Sequence, residues 1–233
     1  MRILAIGDIH GCSRALDCLL AAAVPRTNDL IITLGDYIDR GPDSAGTIER
    51  LLRLRQTRRV ICLRGNHEQM MLDARKGRDR LIEWQHGGGD ATLASYARHG
   101  HRGLLRDVPA SHWDFLENGC VNFYETDTHN FVHAGMAHDL ALADQPRHLL
   151  QWETFHDPRP HASGKIMVCG HTPQSNHAPR DLGHAICIDT HACANGWLTC
   201  MEVTTGYVWQ ATQTGQLRSG PLQEGLIESH KGA

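Results

Sequence analysis

The chain has 233 residues, 41% hydrophobic and 21% charged, room for one generous domain or two small ones and long enough to bury a core. Its formal charge of −3, from 23 basic and 26 acidic side chains, gives no electrostatic case for nucleic-acid binding. No apolar run nears the ~20 residues that span a bilayer, and MRILAIGDIH meets an acid too early for a signal-peptide core, so a cytoplasmic protein without a membrane partner is expected.

Residues 3–6 form a short apolar run ending in Gly7-Asp8, and Leu16, Leu19, Leu20 and Ala23 follow at helical spacing. Residues 30–34 repeat the run and end in Gly35-Asp36. Ile48, Leu51, Leu52 and Arg55 give a second amphipathic helix, and residues 60–63 a third strand before Gly65-Asn66. Strands apolar on both faces that alternate with helices predict βαβαβ and a covered parallel sheet. In such sheets ligands bind beyond the carboxyl ends of the strands, where all three runs place a glycine and a polar residue. Residues 78–118 are polar, helical in pattern and broken by glycines at 87–89, and read as a mostly helical cap insertion. β-type segments follow at 121–125 and 131–132, separated by a turn near Asp127-Thr128, the second ending in His133-Ala134-Gly135. A polar stretch over 139–164 leads to a strand over 165–169 that ends in Gly170-His171. Residues 185–189 and a hairpin of 197–203 with 207–211, turned at Thr205-Gly206, complete the pattern. One domain over 1–217 is expected, with a loosely packed tail over 218–233. The arginine-rich helix over 50–59 reads as a solvated face. The eight cysteines, none spaced as CxxC, read as buried free thiols rather than a disulfide frame or zinc knuckle.

Seventeen histidines are the one unusual count. At the strand ends stand Asp8, His10, Asp36, Asn66, His67, His133 and His171, oxygen and imidazole donors with no cysteine among them. Such a set suits Mn²⁺, Fe or Zn²⁺. It is too large for one tetrahedral ion and sufficient for two, with Asp36 the natural bridge. Singly, Asp8 and Asp36 read as helix N-caps and Asn66 as a turn residue; their coincidence with the histidines selects metal binding. His86, His99, His101, His112, His129, His138, His148, His156, His161, His177, His184 and His230 lie in polar stretches and read as surface side chains. His191 closes a strand, and the sequence leaves open whether it lines the cleft. The glycine triplet with Asp90 either brings cap backbone to a substrate or is a plain loop.

The strings GDIHG (7–11), GDYIDRG (35–41) and RGNHE (64–68), with HAG (133–135) and GHT (170–172), resemble the signature of the calcineurin-like metallophosphoesterases over roughly residues 1–205. In detail they resemble the phosphoprotein phosphatase branch, especially its small bacterial and phage serine/threonine phosphatases. The resemblance implies an α/β/β/α sandwich of two mixed sheets flanked by helices. It implies two divalent ions, one on Asp8, His10 and Asp36 and one on Asp36, Asn66, His133 and His171, with Mn²⁺ expected and Fe or Zn²⁺ also fitting. It further implies His67 as general acid, Asp39 as its orienting partner and Arg40 as the phosphate grip, with Asn66 and His67 facing substrate. A structural role near the Gly-Pro turn is the competing reading for Arg40. Arg64 and Glu68 are expected to buttress their loop. Pro173 stands where many phosphodiesterases of the superfamily carry a further histidine, which counts against a nuclease. The branch's additional phosphate-binding arginine, near a Trp-x-Arg string, has no counterpart in LLQWETFHD; Arg147 or Arg159 could substitute, and a weaker phosphate grip is expected.

Phosphate esters hydrolyse slowly because their charge repels nucleophiles and an alkoxide leaves poorly. Two cations ~3.5–4 Å apart neutralise that charge and ready a shared hydroxide for direct attack, and a positioned acid adds ~10²–10⁴-fold. An arginine fork matches two phosphate oxygens. The expected activity is therefore a phosphomonoesterase acting on phosphoserine or phosphothreonine, with phosphotyrosine in range, on a phosphorylated protein or a small phosphoester. Hydrolysis of diadenosine tetraphosphate is the first alternative, and an inactive scaffold of the same fold the alternative of another class.

Overall fold

The computed structural model describes residues 1–97, 101, 103–222 and the backbone of 227–229. In chain order its first half holds β1 (Ile3–Ile6), α1 (Ser13–Ala23), β2 (Leu30–Thr33), α2 (Ser44–Thr57), β3 (Arg59–Leu63), α3 (Asn66–Ala74), α4 (Arg78–Trp84), α5 (Asp90–Ser95) and α6 (Ala110–Asn118). Next come β4 (Cys120–Val121), β5 (Phe123–Glu125), β6 (His129–Val132), α7 (Arg147–Trp152), β7 (Ile166–Cys169), β8 (Arg180–Asp181) and β9 (Ala185–Cys187). The last strands are β10 (Leu198–Glu202), β11 (Tyr207–Ala211), β12 (Leu217–Pro221) and β13 (Ile227–Ser229).

An eight-stranded sheet in the order β13-β12-β11-β10-β1-β2-β3-β4 stacks on a five-stranded sheet in the order β5-β6-β7-β9-β8. Both are mixed. β1, β2 and β3 run parallel, as the apolar periodicity predicts. β1 shows how one strand serves two layers. Its Leu4 and Ile6 join the helix-side core with Leu16, Leu19, Ile48 and Leu51, whereas Ala5 faces the second sheet with Ile32, Phe131 and Val168. On the far side of the second sheet, Leu150 of α7 packs with Val132, Met167 and Cys169. The result is the helix–sheet–sheet–helix sandwich expected, with α4, α5 and α6 inserted between β3 and β4.

Four expectations need correction or division. Residues 121–125 are not one strand: β4 pairs with β3 in the first sheet and β5 with β6 in the second, so the chain changes sheets at Asn122. The tail is not loose where it begins. β12 pairs with β11 along five residues, and Arg218 donates to Gln210 Oε1 at 2.6 Å with its guanidinium 4.4 Å from the Trp197 ring. A backbone ladder supplies that order, which side-chain periodicity does not report. Residues 223–226 and 230–233 of the expected tail lie outside the described residues. His112 and His129 are buried rather than on the surface, at 1% and 6% exposure. His112 bridges the Tyr96 hydroxyl at 2.8 Å and Glu49 at 2.9 Å, and His129 opens β6 with Nδ1 at 2.8 Å from the Thr128 hydroxyl. Partners on both ring nitrogens thus let His112 leave water, whereas His129 is held at Nδ1 alone, its buried Nε2 having no partner among the described residues. His99 and His230 lie outside the described residues. All eight cysteines are free and buried or half-buried, as read. Among the described residues no helix is long and apolar enough to cross a membrane.

Candidate metal centre

The carboxyl ends of β1, β2, β3, β6 and β7 converge, and the loops leaving them carry the nominated donors. The approach of β2 to β3 and β6 there admits no side chain. A Cβ on Gly35, whose φ is +105°, would lie 2.6 Å from the Gly65 amide and 2.9 Å from His133 Nδ1. Glu68, fully buried at the start of α3, ties the loops together by accepting the amides of Asp36 and Tyr37 at 2.8 Å and of Gly65 at 2.9 Å. Arg64 donates to the Leu116 and Glu117 carbonyls at 2.9 and 2.7 Å.

Asp36 sits at the middle. Its Oδ2 is 3.5 Å from His10 Nε2 and 3.9 Å from His67 Nε2, and its Oδ1 is 3.4 Å from His133 Nε2. Two groups of donor atoms meet on it, His10–Asp36–His67 and Asp36–His133–His171, each spread over no more than 4.8 Å. Asn66 Oδ1 joins the second group, 3.0 Å from His133 Nε2 and 3.1 Å from His171 Nδ1. Asp8 stands outside both groups. Its Oδ2 accepts the His171 amide at 3.0 Å, while its buried Oδ1 has no hydrogen-bond partner among the described residues.

The donor chemistry fits a divalent cation. His10 Nδ1 lies 2.8 Å from the Ile38 carbonyl and His133 Nδ1 2.8 Å from the Leu34 carbonyl. A carbonyl only accepts, so both protons lie on Nδ1 and both Nε2 lone pairs face inward. At His133 that lone pair confronts two more acceptors, Asn66 Oδ1 and Asp36 Oδ1. Converging lone pairs of this kind are satisfied by a cation. Burial pulls the basicity of His10 down to about 3, of His171 to about 4 and of His133 below its ordinary value, which keeps these imidazoles neutral as ligands must be. Burial pushes the Asp36 carboxyl up, but His133, His67, His10 and His171 outweigh it and hold it below the ordinary carboxylate range.

His67 is arranged differently. Its Nδ1 is 2.7 Å from Asp39 Oδ2. Burial lowers its basicity, yet Asp36 and Asp39 more than compensate and raise it. Asp39 is itself fixed from the cap: Trp84 Nε1 of α4 donates to Oδ2 at 2.8 Å and the Thr92 hydroxyl of α5 to Oδ1 at 2.6 Å. The glycine triplet kinks the chain between α4 and α5 at Gly88, whose φ is +119°, and the Gly88 carbonyl accepts the Arg40 amide at 3.2 Å, so it braces the 39–40 loop. The Arg40 guanidinium reaches His10 Nε2, with Nη1 at 2.9 Å.

A profile of the family described as calcineurin-like phosphoesterase matches residues 1–196. The chain belongs to that family. It is a metal-dependent phosphatase with a divalent metal centre. The serine/threonine-protein phosphatase 1 of Salmonella typhimurium is 31% identical over 218 residues, covering 85% of this chain and 90% of that protein. A symmetrical bis(5'-nucleosyl)-tetraphosphatase of an Acidovorax species is 31% identical over 134 residues, 45% of either chain. A solved serine/threonine phosphatase of Saccharomyces cerevisiae shares the fold at 15% identity, with a TM-score of 0.61 over 100% of this chain and 81% of that one.

Five nominated residues of this phosphoesterase, His10, Asp36, Asp39, Arg40 and His171, have φ between 44° and 72°. Such backbone costs ~1–3 kcal/mol per residue and persists where surrounding structure enforces it, typically at functional sites. Three further residues bear on the centre without having been nominated. Asp189 faces Asp8: burial raises both carboxyls, Asp189 to about 6, and the charge of Asp189 raises Asp8 further. Its signal was present, since 185–189 is another apolar run ending in an acid. Trp84 and Thr92 gave none, because they meet Asp39 across 45 and 53 residues of sequence. His191 donates its amide to Asp189 Oδ1 at 3.0 Å and stacks on His177, while Arg159 lines a cleft of about 390 Å³ beside Gly135 and Phe155. Arg147 opens α7.

Proposed function

We propose that this phosphoesterase is a phosphomonoesterase of phosphoserine and phosphothreonine, with phosphotyrosine in range. The observation that supports it best is the double use of Asp36 by two groups of inward-facing acceptors, with a His67–Asp39 pair beside them. Asp8, His10 and Asp36 would hold one ion, and Asp36, Asn66, His133 and His171 the other, with Mn²⁺ the expected metal. Bound there, divalent cations neutralise phosphoryl charge and lower the pKa of water toward neutrality. His67, with Nδ1 held by Asp39, presents Nε2 to the leaving oxygen and gives it a proton. Asp39 fixes the ring and its tautomer. Arg40, whose guanidinium already reaches the edge of the centre, takes two phosphate oxygens.

Trp84 and Thr92 act through Asp39 as positioning residues. Trp84→Phe keeps the bulk and deletes the indole N–H. We expect kcat to fall about tenfold, the worth of one hydrogen bond to a charged group, with KM little changed. Thr92→Val should do the same. A loss in KM alone, or no loss in a folded variant, would contradict the role.

The match to a tetraphosphatase over 45% of its length keeps dinucleoside polyphosphate hydrolysis as a second reading. One experiment separates the two. Metal-stripped protein is reconstituted singly with Mn²⁺, Zn²⁺, Ni²⁺ or Mg²⁺ and offered a phosphoseryl peptide and diadenosine tetraphosphate. The stripped protein should be inactive, and the Mn²⁺ form should prefer the peptide by roughly tenfold or more in kcat/KM. The reverse preference would sink the phosphomonoesterase reading.

A further inference from the structure

We infer that the groove along α3 is a binding site for an aromatic ring carried directly on the ester oxygen, as in a phosphotyrosyl or other aryl phosphate. This rests on the phosphomonoesterase reading and names the subsite that brings phosphotyrosine within its range. α3 opens with Asn66 and His67, and Gln69, Met70 and Asp73 follow Asn66 at helical spacings of three, four and seven. The same helix face thus runs outward from the metal centre. There its Gln69, Met70 and Asp73 line a cavity of about 210 Å³ together with Trp84 of α4 and Trp152, the last residue of α7.

Both tryptophans touch the chemistry. Trp84 is fully buried and bound to Asp39, the partner of His67. Trp152 lies edge-on to the His171 ring, 6.3 Å between centroids and 80° between planes. Yet Trp152 is 48% exposed, and among the described residues it is the one aromatic among the exposed large hydrophobic side chains. An indole held in water beside a nominated ligand is a surface that a bound ring can cover, in the edge or offset geometry aromatic pairs prefer. The Met70 thioether adds a second soft contact.

Charge and position choose the occupant. Among the described residues that line the groove the one cation, Arg80, is paired with Glu83 at 2.9 Å, and Asp73 is paired with Lys76 at 2.6 Å, so the lining carries no excess positive charge for a second phosphate. The groove begins at the helix that carries the proton donor. A ring fills it when bonded to the leaving oxygen itself, whereas a serine side chain leaves the Trp152 face bare.

Binding of phenylphosphonate and methylphosphonate, which cannot be hydrolysed, to the Mn²⁺-loaded full chain reads the site without turnover. The phenyl compound should bind about tenfold tighter, the ratio should fall to about two or less in Trp152→Ala, and Trp152→Phe should restore most of it. In turnover, Trp152→Ala should lower the preference for a phosphotyrosyl over a phosphoseryl peptide by a similar factor. An equal loss on 4-nitrophenyl phosphate assigns the site to the ring alone, and a larger loss on the peptide assigns it to tyrosine within a chain. An unchanged phenyl-to-methyl ratio in folded Trp152→Ala overturns the groove assignment alone. Failure of both phosphonates to bind the wild-type protein overturns the phosphomonoesterase reading beneath it as well.

Discussion

Asp36→Asn is expected to lower kcat/KM by ~10³-fold or more on every phosphoester, because removal of even one preorganised electrostatic contact costs ~10²–10³. This carboxylate faces His10 and His67 through one oxygen and His133 through the other. The amide keeps the shape and loses the charge. Four imidazoles then surround a neutral side chain, and neither group of donors retains the anion that both use. The backbone should tolerate the change, since Asp36 has φ of 51° and asparagine visits that region as readily as aspartate. Kinetics on a phosphoseryl peptide, an aryl phosphate and diadenosine tetraphosphate, together with elemental analysis, give the reading. We expect activity and bound metal to fall together on all three. A variant that kept two ions and worked within tenfold of the parent would remove Asp36 from the centre of the chemistry.

His67→Asn should reduce kcat by ~10²–10⁴-fold and shift KM little, as loss of a group acting in the transition state does. The pattern across substrates is more telling than its size. Proton donation matters most when the departing alkoxide is strongly basic, so phosphoserine should suffer far more than 4-nitrophenyl phosphate. Equal losses on both would make His67 a ligand or a prop rather than an acid. That contest is real, because His67 Nε2 is 3.9 Å from Asp36 Oδ2 and belongs to one of the two compact donor groups. Its opposite nitrogen, locked to Asp39 at 2.7 Å, is what favours the acid.

The sheet-forming half of the protein was readable because its signal is local. β1, β2 and β3 are short apolar runs with helical spacing between them, and their polar stops are the candidate donors Asp8, Asp36 and Asn66. The same pattern points to His133 and His171 as candidates. Asp189 follows the identical pattern, closing the apolar run over 185–189. The exchange of sheets at Asn122 and the strand at 217–221 escaped because backbone pairing with distant partners determines them. His112 escaped because its polar neighbours hid the fact that Tyr96 and Glu49 would meet it in the interior. The anchoring of Asp39 by Trp84 and Thr92 is long-range for the same reason, and no spacing in one chain announces it.

That anchoring has a bearing on how such enzymes diversify. If the inserted helices merely shaped the entrance, they could be exchanged between relatives as a cassette, altering selectivity and leaving intrinsic rate alone. Here two of them contribute the donors that hold the Asp39 carboxylate bound to His67, and the turn between them grips the Arg40 backbone. On the proposed role of His67, a chimaera with a foreign insertion would inherit another enzyme's catalytic tempo along with its tastes, unless an indole and a hydroxyl arrive at the same two places.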